Sequence, residues 1–183
     1  MILQRILKLP LPYRRTIGQI ISVQDLPYLV QAIADGKAIG VSDASVNSND
    51  EGSQSYIIES IDEKYHITGS SPVDCDEDDM ESTRSEMTGV LAILILLQIL
   101  CEEYSIVSGD FIIYCDNKEA IKVKQAHPYL LSYVRFCSNN YDLRQEIRSQ
   151  LLVLHLNVSF CHVKGHRNDD DQFDYDTAPQ FTK

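Results

Sequence analysis

Four acid-bearing segments stand in one order along this chain of 183 residues. They are Ala38-Ile39-Gly40-Val41-Ser42-Asp43, then Arg84-Ser85-Glu86, then Phe111-Ile112-Ile113-Tyr114-Cys115-Asp116, and last an acid-rich stretch after His162-Val163-Lys164-Gly165-His166. Asp43 and Asp116 each lie at the end of an apolar run of strand character, and Glu86 opens a long apolar run of helical character. Acids at the ends of neighbouring strands approach each other across a sheet, and a Glu in the first turn of a helix packed on that sheet reaches the same point. Carboxylates converging from separate elements are what a pair of Mg²⁺ ions needs for phosphodiester hydrolysis. Singly, each acid has a plainer reading. Asp43 would suit a turn, Asp116 the N-cap of a helix starting near Lys118, and Glu86 the acid of a capping box, Thr83-x-x-Glu86. Their joint order makes the metal-binding arrangement the better account.

The elements that must position these acids follow from hydrophobic pattern and turn chemistry. A first strand is expected over 38–46, a turn rich in Asn, Asp and Gly over 47–52, a second strand over 54–59 and a third near 65–68. An acidic loop over 74–81 suits a solvated segment. A buried helix is expected over 82–103, a fourth strand over 110–115, a short helix over 118–125, a longer one over 141–152, and a fifth strand over 155–163. The order, β-β-β-α-β-α-α-β, implies an α/β fold with a sheet of mixed direction. Residues 1–37 read as an N-terminal leader or connection segment, and 38–183 as the main domain. Within the leader a helix over 26–34 would be capped by Ser22 or Asp25 and ended by Gly36.

Composition bounds the class. Apolar residues make up 44% of the chain, ordinary for a globular protein. The apolar stretch 90–97, interrupted by Gln98, falls short of the ~20 residues of a membrane span. Arg5 and Lys8 within the N-terminal apolar stretch argue against a signal peptide. The five cysteines, Cys75, Cys101, Cys115, Cys137 and Cys161, include no Cys-x-x-Cys pair and read as reduced thiols of an intracellular protein. His162 and His166 end a strand pattern and flank Lys-Gly, a poor start for a zinc site. The net charge of -11 opposes nucleic-acid binding when taken whole, but it is unevenly spread. Residues 38–117 hold seventeen acidic against two basic residues, whereas 118–167 hold eight basic against three acidic. The acids therefore crowd the proposed ligands and one loop, where divalent metal would offset part of their field.

Four blocks, Ser42-Asp43-Ala44-Ser45, Arg84-Ser85-Glu86-Met87-Thr88-Gly89, Tyr114-Cys115-Asp116-Asn117 and His162-Val163-Lys164-Gly165-His166, resemble the signature blocks of ribonuclease H. The style is most similar to the ribonuclease H regions of retrotransposon-type reverse transcriptases, and the resemblance covers roughly residues 30–172. It implies a five-stranded mixed sheet flanked by helices and Mg²⁺-dependent (or Mn²⁺-dependent) cleavage of the RNA strand of an RNA/DNA hybrid. An attached polymerase region would be a further partner. Asp43, Glu86 and Asp116 would hold the metals, and His166 would be the mobile-loop histidine that assists proton transfer or product release. Ser45, Asn117, Lys118, Lys122 and Lys124 would contact nucleic acid.

Two departures stand out. Ala44 replaces the usual Gly of the first block. The fourth acid, expected on a C-terminal helix, is either Asp176 or lies beyond Lys183. Pro179 makes a helix through Asp176 poor, which favours a missing C-terminal helix. A second reading therefore stays open: a remnant that keeps the fold, does not cut, and binds nucleic acid or protein weakly.

Overall fold

The computed structural model describes residues 2–49, 51–73, 81–118 and 140–163. In chain order the elements are α1 (Ile2–Lys8), α2 (Leu11–Ile17), β1 (Gln19–Gln24), α3 (Leu26–Ala34), β2 (Ala38–Val46), β3 (Gly52–Ser60), β4 (His66–Pro72), α4 (Ser82–Tyr104), β5 (Asp110–Cys115), α5 (Tyr141–Val153) and β6 (Asn157–His162).

β2, β3 and β4 form the expected antiparallel meander. Its first turn is closed by Asn47, whose Oδ1 accepts the main-chain N–H groups of Asn49 and Glu51 at 2.9 and 3.0 Å. Its second is closed by Ser60, whose Oγ donates to Asp62 and accepts from the Tyr65 N–H. β5 then lies parallel to β2, and β6 parallel to β5. The mixed sheet flanked by helices is present, and it carries a sixth strand, giving the order β1-β4-β3-β2-β5-β6. That strand is β1, which pairs antiparallel with β4 through a register shift between Ile20 and Ser22. Residues 19–24 were expected to lie in a leader; they form the edge of the sheet.

α4 is the centre of the molecule. At 23 residues it is long and apolar enough to cross a membrane by length and composition, yet it is almost wholly enclosed by the fold. The sheet covers one side of it with Tyr56, Ile58, Phe111 and Ile113, and α1, α2 and α5 cover the other. Close approach to β2 depends on two glycines. A Cβ on Gly40 would come within 3.1 Å of Ile93, and one on Gly89 within 3.0 Å of the Ser42 Cβ. The outer helices are tied on by polar bonds: Arg5 to Glu102 at 2.8 Å, Tyr13 to Glu146 at 2.7 Å, and Arg84 to Asp142 at 2.7 Å.

α3 packs against β2, β3, β4 and β5 through fully buried Leu29 and Ile33, which join the same core as Ala38, Ile58 and Ile67. The expected helix 26–34 is there, but its start differs. Ser22 lies on β1 and bonds to His66, and Asp25 takes a left-handed conformation (φ 48°) without a side-chain cap bond. Its end follows the expectation: Gly36 at φ +69° lets its own N–H reach Ile33 O and the Lys37 N–H reach Ala32 O.

Candidate metal centre

The three acids arrive from three elements. β2 and β5 run in parallel with Ile39, Gly40 and Val41 opposite Ile112, Ile113 and Tyr114. The pairing ends there; carried on by one residue the register matches Ser42 with Cys115, and by two it matches Asp43 with Asp116. Alternation along each strand then divides the roles. Gly40 and Ser42 on β2, and Phe111, Ile113 and Cys115 on β5, are buried towards α4. Asp43 is exposed and lies past the end of the β2–β5 pairing, and Asp116 is half-buried directly after β5. Open α/β sheets bind ligands outside the carboxyl ends of their strands, and this is such a place.

Glu86 reaches the point from α4. It is only 2% exposed, so its carboxylate needs partners. Oε1 accepts the main-chain N–H of Ala44 at 3.0 Å, and Oε2 accepts the Cys115 thiol at 3.4 Å. The capping-box reading of Thr83 and Glu86 is not realised. The residue before the helix is Glu81, so Glu86 lies past the first turn, and the Thr83 hydroxyl instead accepts the side-chain N–H of Asn117 at 3.1 Å. That last bond ties the residue after Asp116 to the start of α4.

Glu86, Cys115 and Asp116 each offer a ligand atom within 4.8 Å of the others. Asp43 is not in that group, but its charge is felt there. Burial first, then the charge and hydrogen bond of Asp116, push the Glu86 carboxyl up to about 8; the Cys115 bond opposes this, and Asp43 adds a smaller rise. Burial, and then the Glu86 charge, pushes the Cys115 thiol up to about 12, so it stays a protonated donor. Crowded carboxylates of this kind suit a hard divalent cation, which would favour their charged forms. The donor set of Asp43, Glu86 and Asp116 therefore fits Mg²⁺ or Mn²⁺.

Around the acids, Asp43 lines an open hollow of about 430 Å³ with Gln19, Ser45, Ser53, Ser55 and Ser70. Ser45 shares a 3.0 Å hydrogen bond with Ser53 across the β2–β3 pair. A second hollow of about 270 Å³, lined by Arg15, Arg84, Thr88 and Asp142, contains none of the three acids. Asn117 donates inward to Thr83, and Lys118 is exposed just beyond. His162 lies on β6 with Nε2 at 2.9 Å from the Asp116 main-chain oxygen. Lys122, Lys124, His166, Asp176, the acidic loop over 74–80 and the expected C-terminal helix lie outside the described residues. Reading the sequence missed Cys115 as a partner of Glu86, although its place directly before Asp116 was the available signal.

No protein-family model matches the chain, and no curated protein matches it. Solved structures with a similar fold include three from different sources. The N-terminal RNase H domain of rv2228c from Mycobacterium tuberculosis is 11% identical with a TM-score of 0.45, over 74% of this chain and 87% of that one. RNase H1 from the archaeon Halobacterium salinarum NRC-1 is 16% identical with a TM-score of 0.47, over 73% and 90%. The prototype foamy virus protease-reverse transcriptase is 13% identical with a TM-score of 0.48, over 76% of this chain and 19% of that one. The mixed sheet flanked by helices is the architecture that the ribonuclease H resemblance implies, and the chain is similar to solved ribonuclease H domains, that of a viral reverse transcriptase among them.

Proposed function

We propose that this protein is a divalent-metal-dependent endonuclease that hydrolyses the RNA strand of RNA/DNA hybrids, as the ribonuclease H region of a retroelement reverse transcriptase would. The observation that carries this reading is the convergence of Asp43, Glu86 and Asp116. In support of it, Asp43 and Asp116 follow the paired stretch of two adjacent parallel strands, and Glu86 is bonded to the residue next to each of them. The chemistry supplied by bound Mg²⁺ or Mn²⁺ is Lewis-acid activation of a water and stabilisation of the leaving oxygen.

The chain's own groups do the rest. Asp43 and Asp116 present carboxylate oxygens at the open edge of the sheet, while Glu86 supplies a third from the enclosed side. Ala44 and Cys115 fix the Glu86 carboxylate so that little is lost in ordering it. The hydroxyl groups of Ser45, Ser53 and Ser55 beside Asp43 offer neutral donors and acceptors to ribose and phosphate oxygens. Asn117, Lys118, Lys122 and Lys124 would extend that contact along the backbone. His166 would move protons during product release, and Asp176 is the candidate fourth acid.

A substrate panel tests the reading. End-labelled RNA/DNA hybrid, single-stranded RNA and duplex DNA are incubated with the protein and Mg²⁺ or Mn²⁺. Cutting of the RNA strand of the hybrid alone is the expected result. Folded protein that cuts none of them would favour the non-cutting remnant.

A further inference from the structure

The Glu86 carboxylate is held at both oxygens, and the two donors are of unequal kind. Oε1 takes a main-chain N–H, which no substitution of a non-proline residue removes. Oε2 takes the thiol of Cys115, which a single substitution does remove. The sulfur is fully buried and is itself held, accepting the Asn117 N–H at 3.4 Å. A carboxylate offers about four lone-pair directions. One donor on each oxygen leaves one direction on each for a cation, and it stops the group from turning away from Asp116. Cys115 is the last residue of β5 and directly precedes Asp116, so the bond transmits the position of β5 directly to Glu86.

We infer that Cys115 is a positioning residue of the metal centre, its thiol orienting Glu86 so that Glu86 and Asp116 bind a divalent cation together. The inference rests on the functional reading above and names a residue that the acids alone do not reveal. A thiol in this place does two things that an apolar side chain of equal size would do only in part. It fills the wall between β5 and α4, and it donates.

The test is Mn²⁺ binding by calorimetry to wild type, Cys115→Ala, Cys115→Ser and Cys115→Val, with melting temperatures recorded beside it. Ala removes both volume and donor, Val keeps volume without a donor, and Ser keeps a donor. Losing a group that orients a metal ligand costs about tenfold or more in metal affinity. The expected result is a loss of about tenfold in Ala and Val, with Ser within about threefold of wild type. In the cutting assay, excess Mn²⁺ should restore the maximal rate of Val, since the residue touches no reacting atom. Equal affinity in wild type and Val overturns the proposal while leaving the metal centre standing. Equal loss in Ser and Val assigns the effect to packing and also overturns it. Wild type that binds no Mn²⁺ removes the metal-centre reading, and this proposal with it. Should Ala fail to fold, the comparison of Ser with Val decides alone.

Discussion

The main-chain N–H of Ala44 donates to Glu86 Oε1 at 3.0 Å, which joins the residue after Asp43 to the buried end of α4. Strand and helix are 42 positions apart in the chain at this bond, so the tertiary fold, not local sequence, makes the site. The close approach of α4 to β2 is what allows it.

Gly89→Ala tests that approach. Ala gains about 1 kcal/mol of helix propensity over Gly. The added Cβ, however, would meet the Ser42 Cβ at 3.0 Å, and overpacking of a tight core costs about 1–3 kcal/mol. Ser42 Cβ is fixed to a central strand and cannot swing aside, so the cost should win. A melting temperature lowered by several degrees, with weakened Mn²⁺ binding, is the expected outcome in thermal denaturation and calorimetry. An unchanged or raised melting temperature would contradict it.

The raised Glu86 carboxyl makes a pH prediction. Its folded value of about 8 lies above the ordinary 4.5, so between these the folded state holds a proton that the unfolded chain has lost. The contribution is complete below about pH 4.5 and is lost as pH rises through 8, at up to about 1.4 kcal/mol per pH unit. Metal-free protein should therefore melt lower at pH 8 than at pH 5, and Mg²⁺ should restore more stability at pH 8. Glu86→Gln should flatten the metal-free profile and remove the Mg²⁺ effect. Denaturation at a series of pH values, with and without Mg²⁺, reads both.

The Arg84–Asp142 pair ties α4 to α5 at 2.7 Å, with Asp142 mostly exposed. The hydrogen bonds from Arg84 hold the Asp142 carboxyl below its usual range. Its stabilisation is present above the ordinary carboxylate value and is lost as pH falls through the lowered one. Asp142→Asn should cost about 0.5–1 kcal/mol at pH 7, because solvent and salt screen such a pair. The difference from wild type should vanish in acid. Chemical denaturation at pH 7 and pH 3 checks it.

Much of this arrangement was legible in the residues. β5 matches its expected span of 110–115, β2 its span of 38–46, and α4 and α5 differ from expectation by one residue at one end. These are strongly patterned segments with clear turns on either side. α1, α2 and β1 were harder. The two helices have seven residues each, with Pro10 between them and Pro12 in the first turn of α2, too short for periodicity to speak. β1 is an edge strand with Ile21 and Val23 exposed, so its apolar residues do not mark one buried face. The capping box failed for a tertiary reason. Thr83 and Glu86 have the right types and spacing, yet Asn117 claims the first, and Ala44 and Cys115 claim the second. Local sequence cannot register such partners.

The most direct test compares cutting of a labelled RNA/DNA hybrid by wild type, Asp43→Asn and Asp116→Asn in Mg²⁺ or Mn²⁺. Each substitution keeps the side chain's size and removes its charge. The account predicts that wild type cuts the RNA strand and that either substitution lowers the rate at least about a hundredfold, with melting temperatures near or above wild type. Cutting that persists undiminished in both variants, or a folded wild type that never cuts, would contradict it.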